Sequence, residues 1–280
     1  MNSPSSNIDR YAVMGNPIAH SKSPEIHQLF AQQTGQTLSY EALLIETDQF
    51  EKNLENFALD GGKGLNITVP FKQLAWQQSH KRSQRAELAG AVNTLSFQNG
   101  QIIGDNTDGI GLVRDLTNNQ NINISNQRIL IAGAGGAVRG VLLPILEQKP
   151  AAVIIANRTQ NKAEELANLF SAYGNITAQA FSELPHEPFD LIINGTAASL
   201  QGAVPPIPNE CVGESTSLYD MMYASEPTSF LKWGKNLGAN VCIDGLGMLV
   251  EQAAESFFIW RGIRPETQTI IATLREQMKT

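Results

Sequence analysis

A glycine-rich turn joins a predicted strand to a predicted helix in the second half of the chain. Arg128–Ala132 is the apolar strand, and it is followed directly by Gly133, Ala134, Gly135, Gly136 and Ala137. A turn of this kind brings backbone N–H groups and the positive end of a helix dipole to a phosphate. It therefore predicts a dinucleotide pyrophosphate site. Val138 stands where the usual fingerprint has its third glycine, and a turn used only for packing is the alternative.

The end of the next predicted strand indicates which dinucleotide binds. Val153–Ala156 is followed by Asn157, Arg158 and Thr159. An acidic residue here would accept hydrogen bonds from the ribose of NAD, whereas a guanidinium pairs with the 2′-phosphate of NADP. Arg158 therefore favours NADP, and Lys162 adds charge one turn later. The alternative is that Arg158 is a solvated cation at the strand end.

Polar residues also follow the predicted strands of the first half, where open α/β sheets bind ligands. Ser21 and Ser23 are close enough in sequence to direct two hydroxyls at one carboxylate. Ser23 precedes Pro24, so a helix N-cap is its competing structural role. Asn66 and Thr68 are two residues apart, which places both side chains on one face of the predicted strand Leu65–Val69.

Lys72 lies just past that strand and is the candidate for acid catalysis. Transfer of a hydride to a ketone leaves an oxygen that needs a proton donor or a positioned cation. Asn93 and Asp108 lie around a predicted hairpin, and Asp108 is expected to pair with Lys72. An exposed lysine without a catalytic role is the alternative.

Two other ways to assist such a reaction are disfavoured by the sequence. The histidines and cysteines show no metal-ligand spacing; they are His20, His27, His80, His186, Cys211 and Cys242. A Tyr-x-x-x-Lys pair starting at Tyr219 fails because Tyr223 occupies the lysine position. The expected enzyme is thus metal-free.

The elements that carry these residues alternate between strand and helix, which predicts an α/β fold. A length of 280 residues exceeds one typical domain of about 100–150 residues, so two units are expected. In the first unit, Asn99 and Gly100 predict a hairpin turn that adds an antiparallel edge to a mostly parallel sheet. The second unit is predicted to be a doubly wound, Rossmann-type domain, with its strands at Arg128–Ala132, Val153–Ala156, Leu191–Asn194, Ser217–Asp220 and Val241–Asp244.

Composition argues against two classes of partner. The net charge is −7 at pH 7, and no cluster of Lys and Arg provides the basic surface that nucleic acid requires. No apolar run approaches the roughly 18–20 residues needed to cross a bilayer, so a cytoplasmic enzyme without a membrane partner is expected. The oligomeric state, a homodimer included, stays open.

Taken together, these segments closely resemble the shikimate dehydrogenase family. The residues that carry the resemblance are Gly15–Pro24, Asn66–Lys72, Gly90–Thr94, Asp105–Gly109, Gly133–Ala137, Asn157–Thr159, Tyr219–Tyr223 and Gly247–Gln252. The resemblance implies reversible NADPH-dependent reduction of 3-dehydroshikimate to shikimate, a step in aromatic amino acid biosynthesis. It also implies that the C-terminal helices pack on the first unit, which gives a substrate domain of residues 1–110 plus 246–280 and a dinucleotide domain of residues 111–245.

The resemblance also assigns roles to particular residues. Ser21 and Ser23 would bind the substrate carboxylate, and the ring would contact Asn66, Thr68, Asn93, Tyr223 and Gln252. Lys72 and Asp108 would be the catalytic pair, and Met221 and Gly245 would line the nicotinamide pocket. For Gln252 the alternative is a polar helix residue that points away from the site.

One loop departs from the family pattern, because Ala197 and Ser199 stand where Ser and Gly are usual. Two functional alternatives remain open at this stage: a quinate/shikimate dehydrogenase that uses NAD, and a non-catalytic NADPH sensor on the same scaffold.

Overall fold

The computed structural model describes residues 8–279, which divide into two compact units. Unit 1 holds residues up to Thr107 together with Gln252–Ile270, and unit 2 holds Asp108–Glu251 together with the residues after Ile270. The residues after Ile270 therefore belong to unit 2, whereas the family resemblance implied that they belong to the first unit. Arg275 accounts for this difference, since its Nη1 donates to Asp244 Oδ2 at 2.7 Å.

Unit 1 is built on one mixed sheet with helices between its strands. The strands are β1 (Asp9–Gly15), β2 (Leu38–Leu44), β3 (Gly64–Ile67), β4 (Lys81–Arg82), β5 (Thr94–Gln98) and β6 (Gln101–Asp105). The helices between them are α1 (Ser23–Thr34), α2 (Phe50–Leu59), α3 (Lys72–Gln78) and α4 (Gln84–Ala89). The order of strands across the sheet is β2-β1-β3-β5-β6-β4. A buried apolar cluster that includes the stacked rings of Phe50 and Phe71, 4.9 Å apart, packs this unit.

The predicted hairpin forms, but it does not lie at the edge of the sheet. Asn99 and Gly100 have φ angles of 51° and 72°, as a two-residue turn with positive φ requires. β5 pairs antiparallel with both β3 and β6, while β4 pairs parallel with β6 and takes the edge position. The expectation of an antiparallel edge was therefore wrong, because the two-residue strand β4 is too short to give a period-two signal.

Unit 2 is a doubly wound sheet, which confirms the predicted Rossmann-type fold. Its strands are β7 (Arg128–Ala132), β8 (Ala152–Ala156), β9 (Ile176–Gln179), β10 (Leu191–Asn194), β11 (Ser217–Asp220) and β12 (Val241–Asp244), in the order β12-β11-β10-β7-β8-β9 with parallel pairing throughout. The helices are α5 (Asp108–Arg114), α6 (Gly136–Glu147), α7 (Gln160–Phe170) and α8 (Ser229–Asn236). The strand order reverses between β7 and β10, and such a switch point is where ligands bind.

Two helices follow the second sheet. α9 (Leu246–Arg261) begins in unit 2 and continues into unit 1 from Gln252 onward, and α10 (Gln268–Gln277) ends in unit 2. No helix among the described residues is long and apolar enough to cross a membrane.

Candidate active site

The glycine turn of unit 2 has the backbone that a phosphate site needs. Gly133 follows β7 with a φ of 110°, a conformation that a side chain would strain, and its N–H donates to the Ala156 carbonyl at 2.7 Å. Gly135 is the N-cap of α6, and a Cβ placed on Gly135 or Gly136 would meet nothing within 4 Å. The backbone N–H groups that begin α6 are therefore accessible to a ligand, so the turn fits a dinucleotide pyrophosphate.

Val138 takes the place of the third fingerprint glycine without disturbing this turn. Its side chain is fully buried, and a Cβ on Gly195 would lie only 2.4 Å from Val138 Cγ2. In the usual fingerprint, the glycine on the helix makes room for the neighbouring loop. Here the loop after β10 makes room for the Val138 side chain instead, because Gly195 has no side chain. This explains why the incomplete fingerprint still permits close packing of helix and sheet.

The segment after β8 carries the residues expected to distinguish NADP from NAD. Asn157 Nδ2 donates to the Thr159 carbonyl at 2.8 Å, which braces the loop in which Arg158 is exposed. Lys162 is also exposed, and its N–H donates to the Thr159 carbonyl at 3.1 Å in the first turn of α7. Two cations therefore stand on one short segment beside the carboxyl end of β8.

Met221 and Gly245 meet at the ends of β11 and β12. A Cβ on Gly245 would lie 2.4 Å from the Met221 carbonyl oxygen, and a Cβ on Gly195 would lie 3.2 Å from Met221 Sδ. The structure thus brings both residues predicted for the nicotinamide pocket to the loops that follow neighbouring strands. Tyr223 is partly buried close by, and its pKa is raised by burial and by the charge of Asp244.

The loop that departs from the family pattern has its own hydrogen bonds. Ser199 Oγ donates to Asp220 Oδ2 at 2.6 Å, and Asn194 Nδ2 donates to Asp220 Oδ1 at 3.1 Å. Asp220 also accepts from Thr228 Oγ1 at 2.6 Å. Ser199 therefore ties its loop to a fully buried carboxylate at the end of β11.

In unit 1, the ends of β1 and β3 bring the segments Gly15–Pro24 and Asn66–Lys72 together. A Cβ on Gly15 would lie 2.3 Å from Thr68 Cγ2, so only glycine allows Thr68 to approach β1 this closely. β3 ends at Ile67, one residue before Thr68, and Lys72 is the first residue of α3 rather than part of a loop. The Lys72 carbonyl accepts from the Val92 N–H at 2.9 Å, which places Lys72 beside the segment that carries Asn93.

Ser23 is the first residue of α1 and not its N-cap. The N-cap is Lys22, whose side chain makes no capping hydrogen bond, so the N-cap role considered for Ser23 is wrong. Ser21 Oγ instead accepts from the Ser23 N–H at 3.3 Å. Burial raises the pKa of Tyr40 well above its usual value, and the nearby Ser23 hydroxyl opposes that shift only in part.

A buried polar network joins Asn66, Asn93 and Gln252. Asn66 Nδ2 donates to the Asn93 carbonyl at 3.2 Å, and Asn93 Nδ2 donates to Gln252 Oε1 at 3.2 Å. Four further side chains take part, none of which the sequence reasoning assigned to the site; they are Tyr40, Thr94, Thr107 and Ser256. Thr94 and Thr107 lie in two of the segments that carry the family resemblance, next to Asn93 and Asp108. Ser256 lies four residues after Gln252 and hence on the same helix face.

The segment Asp105–Gly109 contains two carboxylates, Asp105 and Asp108, which have different surroundings. Asp105 accepts from Arg85 Nε at 2.7 Å and from Arg85 Nη2 at 2.9 Å, and this bidentate pair makes Asp105 a structural residue. Asp108 directly follows Thr107 of the network and begins α5 in unit 2.

Other residues that could supply chemistry are placed unfavourably for it. Tyr219 is fully buried and donates to Asp115 Oδ2 at 2.7 Å. Its pKa is raised well above the usual value by burial. Among residues 8–279, no group of His, Cys, Asp and Glu side chains is arranged to hold a metal ion.

A doubly wound sheet with a glycine turn at its switch point defines the dinucleotide-binding α/β class of proteins. Comparison with known proteins gives the family. Three family models match the chain: the shikimate dehydrogenase substrate binding domain over residues 13–95, shikimate / quinate 5-dehydrogenase over residues 115–203, and the shikimate 5′-dehydrogenase C-terminal domain over residues 245–275.

Individual relatives agree with these models. The shikimate dehydrogenase (NADP(+)) of Hahella chejuensis is 54% identical over 269 residues, which cover 96% of this chain and 99% of that protein. The shikimate 5-dehydrogenase of Thermus thermophilus, solved in complex with NADP(H) and shikimate, is 31% identical with a TM-score of 0.86, over 96% of this chain and 99% of that one. The chain belongs to the shikimate dehydrogenase family.

Proposed function

We propose that this chain catalyses the reversible, NADPH-dependent reduction of 3-dehydroshikimate to shikimate. One observation carries the proposal: the polar residues suited to a hydroxylated, anionic ring are linked in unit 1. Ser21 Oγ accepts from the Ser23 N–H, the Ser23 side chain lies near Tyr40, and Tyr40 is linked through Asn66 to Asn93 and Gln252. A linked set of hydroxyls and amides suits a ligand that has several hydroxyl groups and one carboxylate.

The residues of unit 2 support NADPH as the cofactor. The accessible N–H groups at the start of α6 would hold the pyrophosphate, and the exposed Arg158, with Lys162 one turn later, would pair with the 2′-phosphate. Met221 and Gly245 would border the nicotinamide ring. When bound, NADPH supplies the hydride that reduces the C3 carbonyl carbon.

The residues of the chain supply the other half of the reaction. The Lys72 ammonium would stabilise the negative charge that develops on the C3 oxygen and transfer a proton to it. Asp108 would favour the charged form of Lys72 before the transfer, and the amine left neutral by the transfer would take up a proton from solvent. In the reverse direction the same pair would remove the proton from the C3 hydroxyl.

A steady-state assay tests the proposal directly. Purified protein is given shikimate and either NADP⁺ or NAD⁺, and absorbance of the reduced nicotinamide is followed at neutral and alkaline pH. The expected result is turnover with a kcat/KM for NADP⁺ far above that for NAD⁺. Binding of NADPH without turnover would contradict the proposal in favour of a sensor, and a preference for NAD⁺ would contradict the role of Arg158.

A further inference from the structure

Ser256 occupies the centre of the polar network although it lies outside the expected substrate contacts. Its side chain is fully buried on α9, one turn after Gln252. Its Oγ lies 2.7 Å from Thr94 Oγ1 and 3.3 Å from Thr107 Oγ1, and it accepts from Asn66 Nδ2 at 3.0 Å. One hydroxyl thus connects the helix that carries Gln252 with β3, β5 and the segment after β6.

The orientation of the Asn93 side-chain amide is fixed by a backbone group that can only donate a hydrogen bond. The backbone N–H of Thr107 donates to Asn93 Oδ1 at 2.9 Å, and a backbone N–H is always a donor. Asn93 must therefore present its Nδ2 on the other side. There it donates to Gln252 Oε1 at 3.2 Å.

The direction of the Asn66 amide is fixed in the same way. The backbone carbonyl of Asn93 accepts from Asn66 Nδ2 at 3.2 Å, and a carbonyl can only accept. Tyr40 Oη donates to Asn66 Oδ1 at 2.7 Å, which holds the opposite end of the amide. Asn66 Nδ2 is consequently turned toward the Ser256 hydroxyl.

These bonds have a consequence for Gln252. Because Asn93 Nδ2 faces Gln252 Oε1, the Gln252 Nε2 is the part of that amide directed away from Asn93. Nε2 can only donate, so Gln252 would meet a ligand as a hydrogen-bond donor. For this arrangement, the turn of α9 that carries Gln252 must stay in a fixed position against β3 and β5. Ser256 fixes that position through its hydrogen bonds to Asn66 of β3 and Thr94 of β5.

We propose that Ser256 is a positioning residue that holds Gln252 with its Oε1 on Asn93 and its Nε2 toward an oxygen atom of the substrate ring. This inference rests on the proposed function and adds to it the residue that orients one substrate contact. Ser256 does not touch the substrate; it acts through Gln252.

The test begins with Ser256→Ala in the full chain, assayed with shikimate and NADP⁺. We expect KM for shikimate to rise about ten-fold, the effect of losing one buried hydrogen bond, while kcat changes by less than about three-fold. KM for NADP⁺ should not change. Ser256→Cys, which keeps the volume but weakens the hydrogen bonds, should change KM in the same direction and serves if the alanine variant does not fold.

Ser79→Ala is the matched control. Ser79 is also a buried serine of unit 1, and its Oγ donates to the Ala75 carbonyl four residues earlier at 2.7 Å, as Ser256 Oγ does to Gln252 at 3.1 Å. Within the described part of the chain, it has no hydrogen bond to the network that contains Gln252. Ser79→Ala should therefore lower stability through the loss of its bond to Ala75 and leave KM for shikimate unchanged.

A double-mutant cycle separates positioning from a general structural effect. In the background of Gln252→Ala, the change Ser256→Ala should raise KM by less than about two-fold, because the group that it positions is already gone. Independent, additive effects would overturn the inference, and so would a normal KM in Ser256→Ala. Turnover of shikimate by the unmodified chain is measured first, so failure of the proposed function is distinguished from failure of this inference.

Discussion

A buried histidine in unit 1 makes the stability of this unit sensitive to acid. His27 is only 1% exposed, and neither of its ring nitrogens forms a hydrogen bond of good geometry with any described residue. It stacks on Tyr40 at 4.2 Å and is also surrounded by Phe30, Phe257 and Trp260. Burial in this aromatic cage lowers the pKa of His27 from 6.5 to about 3, and the nearby Asn66 side chain opposes that shift only in part.

The sign and size of the effect follow from the lowered pKa. Protonation is easier in the unfolded chain than in the folded one, so the stability due to neutral His27 is present above pH 6.5 and is lost as the pH falls toward 3. Between pH 7 and pH 5 the expected loss in the free energy of unfolding is about 2 kcal/mol. The change His27→Phe keeps an aromatic ring in the cage and removes the titrating group. Between pH 7 and pH 5, the free energy of unfolding of the His27→Phe variant should therefore fall by about 2 kcal/mol less than that of the parent.

The measurement is urea unfolding at pH 7, 6 and 5, followed by tryptophan fluorescence. Trp233→Phe is introduced in all proteins, which leaves Trp76 and Trp260, both in unit 1, as reporters of that unit. His20→Phe, which changes an exposed histidine of the same unit, is the control and should keep the pH dependence of the parent. If His27→Phe differs from the parent by the same free energy at all three pH values, the reasoning from burial is refuted.

Three further predictions concern the active site and its support. Lys72→Ala should lower kcat by about 10²–10⁴ with little change in substrate affinity, as loss of a positioned acid or cation would do. The control is Lys52→Ala, at an exposed position of α2, and near-normal turnover of Lys72→Ala would remove Lys72 from the mechanism. Arg158→Ala should weaken NADP⁺ binding in steady-state kinetics while kcat is largely preserved, and an equal loss with NAD⁺ would exclude a 2′-phosphate role. Gly195→Ala should lower the thermal unfolding midpoint, because the new Cβ would lie 2.4 Å from Val138 Cγ2, at a cost of about 1–3 kcal/mol in stability. Adding Val138→Ala to the same chain should restore part of that stability, and additive losses would contradict the packing argument.

Local patterns in the sequence were sufficient to predict most of the fold. The strand β7 has the bounds expected from its apolar run, and the Asn99-Gly100 turn has the positive φ angles that its residue types favour. Strands β4 and β9 were missed because each is short and lacks a clear alternation. The place of the hairpin within the sheet was also missed, since strand pairing depends on contacts between residues distant in sequence.

The same division applies to the candidate site. The sequence by itself determined which residue types were available: an arginine after β8, glycines after β7, and serines, amides and a lysine near the ends of strands β1, β3 and β5. Only the tertiary structure decided that Gly195 makes room for Val138, that Asp105 is held by Arg85, and that Ser256 joins Asn66 to the helix of Gln252. These contacts join residues up to 190 positions apart. Their geometry is set by the packing of whole strands and helices, which no local spacing in the chain encodes.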